Sequence, residues 1–238
     1  MSPDVGGLFG RSPRDAREVR GARDAGEPAD FTVLFVCTGN LCRSPTAEAI
    51  AWRELAKLPG AREAQLPGAR EAQLPGAREA QLPGAREARR PSAGLRFASA
   101  GTHALEGSPA TPRAVIAAAA LGADVARHRA RALTRRRVRD ADLVLCMAAE
   151  HRGLVLAYDR GAQRRIFTLA SFARAVSEYP LPASNPAELV VMAGEEARDL
   201  PDDDVTDPIG GSAALYAAVA RRIDELVAAT VAALAKVT

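Results

Sequence analysis

Residues 33–48 read VLFVCTGNLCRSPTAE, and the fold is decided there. Residues 31–36 are a short apolar run rich in β-branched side chains, the pattern of a buried strand. The run leads into Cys37, then Gly39 and Asn40, two residue types that tolerate positive φ, then Arg43 and Ser44. From Ser44 the sequence turns helical. Ser44 offers a capping hydroxyl, Pro45 suits the first helical position, and Ala, Glu, Ala, Trp and Leu follow. A strand, a tight loop and a helix start together make an anion cradle, because loop amides and the positive end of the helix dipole converge on one point. A cysteine at its mouth, with an arginine six positions later, makes the cradle a reactive phosphate site.

Length and composition permit that reading. The 238 residues, 47% of them apolar, suffice for one α/β domain with irregular additions. No apolar run approaches the ~20 residues that span a bilayer, and the first residues lack an apolar signal core. Three cysteines do not make a disulfide scaffold, so reduced thiols and a cytoplasmic location are expected. The net charge of +3 and the 4% aromatic content do not point to nucleic acid.

Outward from the loop, residues 1–30 read as a disordered leader, poor in large apolar side chains. Residues 31–238 read as one domain, interrupted at 58–90 by a low-complexity insertion. LPGAREAQ starts at Leu58, Leu66 and Leu74, and LPGAREAR at Leu82. Pro-Gly in every copy breaks a helix, and eight residues are too few for a solenoid unit of ~20–50. The insertion reads as filler, with a partner-binding segment as the alternative. It joins helix 1 to strand 2, the end of a parallel sheet away from the ligand crevice. Further strands are expected at 96–100, 142–147 and 165–169. Helices are expected at 111–121, 150–158, 171–176, 187–198 and 212–236, with a loop at 201–211. The seven arginines of 127–139 read as a solvated face, with an acidic-partner patch as the alternative. Strands alternating with helices imply a four-stranded parallel sheet covered on both faces.

Cys37 and Arg43 form a C-x5-R pattern. A thiolate is the form that attacks phosphorus, and a helix N-terminus beside an arginine favours it. The intervening Thr38, Gly39, Asn40, Leu41 and Cys42 let the backbone curl so that its amides face the non-bridging phosphoryl oxygens. Arg43 adds a planar fork that binds two of those oxygens. Ser44 can donate to the sulfur and ease its later departure. The alternative is a structural cysteine at a strand end. An ester oxygen leaving phosphorus needs a proton donor, and a carboxyl beside thiolate and phosphate is pushed toward its protonated form. Asp207, between Thr206 and Pro208, is one candidate; Asp202, Asp203 and Asp204 are its rivals. Cys146 reads as an inert buried thiol. His103 and His151 lack partners at metal-ligand spacing, so no metal and no cofactor are expected, although His103 could line the pocket rim.

VCTGNLCRSPTAE resembles the signature of the low-molecular-weight protein tyrosine phosphatases. SAGTHALEG at 99–107, HRARAL at 128–133, DLVLCM at 142–147 and TDPIGGS at 206–212 match in the same order, so the likeness covers about residues 31–57 and 95–238. It implies a doubly wound, flavodoxin-like sheet and a phosphocysteine mechanism. It also implies Cys37 as nucleophile, Arg43 as phosphate clamp, Asp207 as general acid and base, and Asn40, Ser44, Ser99 and His128 as the network shaping the loop. A reversible Cys37–Cys42 disulfide is implied as well, beside a plain packing role for Cys42. Leu105 and Ile209-Gly210 stand where vertebrate relatives carry aromatic residues, and Leu41 stands where the phosphoarginine-specific branch carries threonine. An aliphatic wall at Leu105 and Ile209 can still pack against a phenyl ring, with less edge or stacking preference. The aliphatic Leu41 favours phosphotyrosine or another aryl phosphate. The partner implied is a phosphotyrosine protein, a bacterial tyrosine kinase among them. Arsenate reductases share the fold and loop but need further redox cysteines, and only Cys146 follows Cys42. A phosphate-binding module without activity would be expected to lack either the cysteine or the acid.

Overall fold

The central strand is the one that carries the loop. In the computed structural model, which describes residues 30–58 and 94–238, β1 (Phe31–Cys37) lies between β2 (Leu95–Gly101) and β3 (Leu143–Cys146). The expected leader and nearly all of the repeat insertion lie outside the described residues. β3 pairs in turn with β4 (Ile166–Thr168), every pairing is parallel, and the strand order is β2-β1-β3-β4.

A parallel strand is covered on both faces, which is why residues 33–36 are apolar without alternation and all buried. Val33 and Phe35 point into the larger core, with Ile50, Leu55, Phe172, Leu189, Ile223 and Val227. These come from α1 (Arg43–Lys57), α5 (Leu169–Glu178), α6 (Pro186–Glu196) and α7 (Ala213–Ala235). Leu34 and Val36 point the other way, to Val138 and Val155. Those two lie on α3 (Arg135–Asp140) and α4 (Ala149–Tyr158). A helix α2 (Pro112–Ala119) and a 3-10 helix at Arg160–Arg165 complete the layers. The sheet is thus doubly wound, as expected. No helix among the described residues is long and apolar enough to cross a membrane.

Side-chain caps explain most boundaries. Thr111, Thr168, Asn185 and Ser212 each accept a backbone N–H at the start of α2, α5, α6 and α7. The cap at Thr168 also shortens the expected strand over 165–169, because Leu169 already belongs to α5. Ser44 does not cap α1. That helix starts at Arg43, behind Cys42, and has no side-chain cap. The arginine run is only partly a solvated face. Thr134 caps α3, Val138 is buried, and Arg135, Arg136 and Arg139 are exposed. The described flanks of residues 59–93 are Leu58, just past the C-terminus of α1, and Gly94, whose carbonyl accepts from Phe31 N at the start of β1. Both lie at the end of the sheet opposite Cys37, as expected.

Candidate active site

Cys37 ends β1, and the chain must turn at once into α1. Asn40 makes the turn, at φ 55, the one positive φ at a non-glycine residue among those described. Gly39 does not share that conformation, contrary to the sequence expectation. The neighbouring strand presses on the loop. Thr102 N and His103 N donate to the carbonyls of Cys37 and Thr38, each at 2.9 Å. A Cβ on Gly101 would meet Thr38 O at 2.5 Å and Asn40 N at 2.8 Å. Only glycine fits there.

Asn40 is fully buried, and all its polar groups are used. Its amide Nδ2 donates to Ser44 Oγ at 2.8 Å and to Ser99 Oγ at 2.9 Å, and Oδ1 accepts from Arg131 N at 2.8 Å. His128 Nε2 donates to Asn40 O at 2.9 Å. Burial, joined by the charges of Arg131 and Arg129, outweighs that bond and holds the imidazole below its ordinary value. Ser99 Oγ donates to Glu48 Oε2 at 2.6 Å. The four residues expected to shape the loop therefore meet around Asn40. The sulfur of Cys37 receives Asn40 N at 3.3 Å and lies 3.0 Å from Ser44 Oγ. Ser44 Oγ accepts from Asn40, and its own proton has two acceptors within reach, the sulfur at 3.0 Å and Ala100 O at 3.4 Å.

Arg43 is 6% exposed. Its Nη1 donates to Val205 O at 3.0 Å, and its Nη2 to Asp207 Oδ2 at 2.6 Å and to Thr38 Oγ1 at 3.3 Å. Asp207 thus shares a guanidinium with the loop, across the site from β1. Its segment is tied down just upstream. Asp203 accepts from Arg174 at 2.6 and 2.9 Å and from Leu200 N at 2.7 Å. Asp204 Oδ1 accepts from Ala149 N at the start of α4, and Val205 N donates to Met147 O. The rivals Asp203 and Asp204 are therefore engaged in holding the loop, and Asp202 is exposed.

Cys42 is buried among Ala114, Ala117, Tyr216 and Ala220. Its sulfur lies 3.2 Å from Thr111 Oγ1 and 3.8 Å from Tyr216 Oη. Burial pushes this thiol up, and the nearby charges of Cys37 and Asp207 add to it. All three cysteines are free thiols, and that of Cys146 is raised by its burial in β3. Leu105 and Ile209 are 77% and 54% exposed. His103 is exposed and pairs through Nδ1 with Thr102 Oγ1 at 3.0 Å. Among the described residues, no group of three or more His, Cys, Asp or Glu could hold a metal ion.

Sequence reasoning missed Arg174 and Tyr216, and it weighed His151 only as a metal ligand, not as a partner of the loop. The imidazole Nε2 of His151 lies 2.8 Å from Thr38 Oγ1. A signal existed: α4 follows β3 directly, so its first turn stands at the carboxyl end of the sheet, where ligands bind.

A doubly wound parallel sheet with a thiol in a tight loop at a helix N-terminus is the arrangement that cysteine-dependent phosphatases use. Within that class, the family model for low molecular weight phosphotyrosine protein phosphatase matches residues 32–68 and 86–191, and the chain belongs to that family. Similar proteins include the probable low molecular weight protein-tyrosine-phosphatase EpsP of Ralstonia solanacearum. It is 30% identical over 138 residues, 58% of this chain and 70% of that protein. The protein-arginine-phosphatase of Geobacillus stearothermophilus is 26% identical over 197 residues, 83% of this chain and 91% of that protein. Among solved structures, the low molecular weight protein tyrosine phosphatase of T. tengcongensis aligns with a TM-score of 0.55 at 26% identity, over 85% of this chain and 98% of that one. The tyrosine phosphatase amsI of Erwinia amylovora aligns with a TM-score of 0.56 at 21% identity, over 86% and 93%. The chain is accordingly an enzyme, a phosphatase acting through a cysteine.

Proposed function

We propose that the enzyme hydrolyses phosphotyrosine in proteins, or a related aryl phosphate, with Cys37 as nucleophile, Arg43 as phosphate clamp and Asp207 as general acid and base. The Cys37 thiolate attacks phosphorus. The P–S bond forms as the P–O bond breaks, and the departing oxygen takes the Asp207 proton. Water then attacks the phosphocysteine and gives its proton to the Asp207 carboxylate, and the sulfur leaves as a thiolate steadied by Ser44 and Asn40 N. Amides of residues 38–43 and the fork of Arg43 take up the charge spreading over the phosphoryl oxygens. Support comes chiefly from one arrangement: Arg43 lies at the end of the loop that opens with Cys37, and the same guanidinium donates to Asp207.

The arginine-phosphatase relatives favour a second reading, phosphoarginine, because they align over more of this chain than EpsP does. A phosphoarginine guanidinium brings several N–H donors that need acceptors. The side chains of Leu41, Leu105 and Ile209 offer none, and can pack against an aromatic ring. The substrate we infer is therefore a phosphotyrosine protein, with a tyrosine kinase one such partner, met in a cytoplasm that keeps Cys37 reduced.

Turnover of 4-nitrophenyl phosphate, phosphotyrosine peptide and phosphoarginine peptide tests this. Cys37→Ser should abolish activity, and Asp207→Ala should lower kcat by about 10²–10⁴-fold. A higher kcat/KM on phosphoarginine would transfer the enzyme to the other substrate class.

A further inference from the structure

His151 is 2% exposed and stands in the first turn of α4, with its Nε2 at 2.8 Å from Thr38 Oγ1 and its Nδ1 without any hydrogen-bond partner. Thr38 is exposed, directly follows Cys37, and also receives Arg43 Nη2 at 3.3 Å. A guanidinium only donates, so one lone pair of the Thr38 oxygen is taken by Arg43. The ring then has three ways to bond. With the proton on Nδ1, or with both nitrogens protonated, a buried N–H points at nothing. With the proton on Nε2 alone, the unpartnered atom is a bare lone pair. Buried orphan N–H groups are the rarer and more costly defect. Burial and the charge of Arg43 oppose a second proton, against the pull of Glu150, Asp204 and Asp207.

The neutral Nε2–H ring therefore donates to Thr38 and fills its second lone pair. The hydroxyl proton of Thr38 is left with no acceptor among the described residues. It stands beside Cys37, near the guanidinium nitrogen that Asp207 shares. We propose that His151 is a positioning residue that fixes the Thr38 hydroxyl as a hydrogen-bond donor to the substrate's phosphoryl group. The inference rests on the reading of Cys37 and Arg43 above. It adds a side-chain donor to a cradle otherwise built from amides and one arginine, and it gives a buried histidine a task.

The test is steady-state turnover of 4-nitrophenyl phosphate by Thr38→Val, Thr38→Ser, His151→Leu, His151→Gln and the Thr38→Val/His151→Leu double variant. One lost hydrogen bond predicts a fall in kcat of about tenfold for Thr38→Val and for His151→Leu, with KM little changed. Serine keeps the hydroxyl, and the glutamine amide reaches about as far as Nε2. Both should stay within roughly threefold of the parent, since each keeps the bond. The double variant should be no slower than the slower single one, because the two residues act through one contact. Parental kcat in Thr38→Val, losses that multiply in the double variant, or a His151→Gln enzyme as slow as His151→Leu would each overturn the proposal. If His151→Leu fails to fold, Thr38→Val and His151→Gln still decide it. A parent inert toward every aryl phosphate would overturn the proposed function and this inference together, whereas an active parent with an unaffected Thr38→Val overturns this one alone.

Discussion

Ser44 illustrates how one side chain is read differently once its neighbours are known. From the sequence it is a helix cap; in the structure its oxygen accepts from Asn40 Nδ2 and lies 3.0 Å from the Cys37 sulfur. On the proposed mechanism its contribution falls in the second half-reaction, where sulfur regains negative charge, rather than in the first. Ser44→Ala should therefore slow kcat by about tenfold, the cost of one hydrogen bond to a charged group, while phosphocysteine still forms. Rapid mixing with 4-nitrophenyl phosphate would then give a burst of nitrophenol close to one per enzyme, followed by slow turnover; slowing without a burst would assign Ser44 to the first step. Gly101 carries no side chain to do chemistry, yet its missing Cβ leaves room for Thr38 O and Asn40 N. Gly101→Ala is expected to displace the loop, lowering kcat/KM by at least tenfold with unchanged far-UV dichroism, a comparison of activity and folding that checks steric displacement directly. The alanine leaves the sheet core as it is and intrudes only on the cradle.

Among the elements, the strand–loop–helix unit at the start of the domain was legible because its chemistry and its folding use the same residues. A continuous apolar strand, Asn40 at the turn and Pro45 in the first helical turn each have a local reason. The segment at 199–207 was less legible. Four aspartates lie within six residues, and nothing local separates the one that meets Arg43 from those that hold the backbone. Their sorting depends on Arg174 and Ala149, which tertiary packing alone brings near. The place of His151 beside Thr38 was illegible for the same reason, since a lone histidine on a helix carries no local signal. The anchoring role of Asp203 can be measured. Burial alone would push its carboxyl up, but the bonds from Arg174 and Leu200 N outweigh this and hold it below its ordinary value. The folded form thus binds the proton less readily than the unfolded chain. The stabilisation is therefore complete above the unfolded pKa of about 4 and is lost as pH falls through the lower folded value. Asp203→Asn should cost about 2 kcal/mol near pH 7, roughly 4–8 °C in Tm. The gap between variant and parent should close below about pH 4, as the parent loses its charge. A gap that stayed constant to pH 3 would mean that the carboxylate charge contributes nothing.

At the scale of the molecule, the parallel sheet separates two kinds of connection. Those leaving the carboxyl ends of β1, β2 and β3 carry Cys37 with Arg43, the Gly101–His103 brace, and the start of α4. Those entering the amino ends carry the chain from Leu58 to Gly94. Residues 59–93 hold most of the repeat, and they enter and leave the domain at the pole away from the chemistry. That polarity was legible from the order of elements alone, because a helix after β1 must return the chain to the start of β2. Loop closure changes slowly with length, so replacing residues 60–92 by a flexible linker of about ten residues should alter stability by only about 1 kcal/mol, and in the favourable direction. On 4-nitrophenyl phosphate, kcat/KM should remain within about twofold of the parent, since no described contact joins that pole to Arg43 or Asp207. Thermal unfolding and steady-state kinetics on the shortened chain would check both. A shortened enzyme that kept its Tm and lost tenfold or more in kcat/KM on a protein substrate, but not on the small ester, would make the segment a substrate-docking element instead of filler.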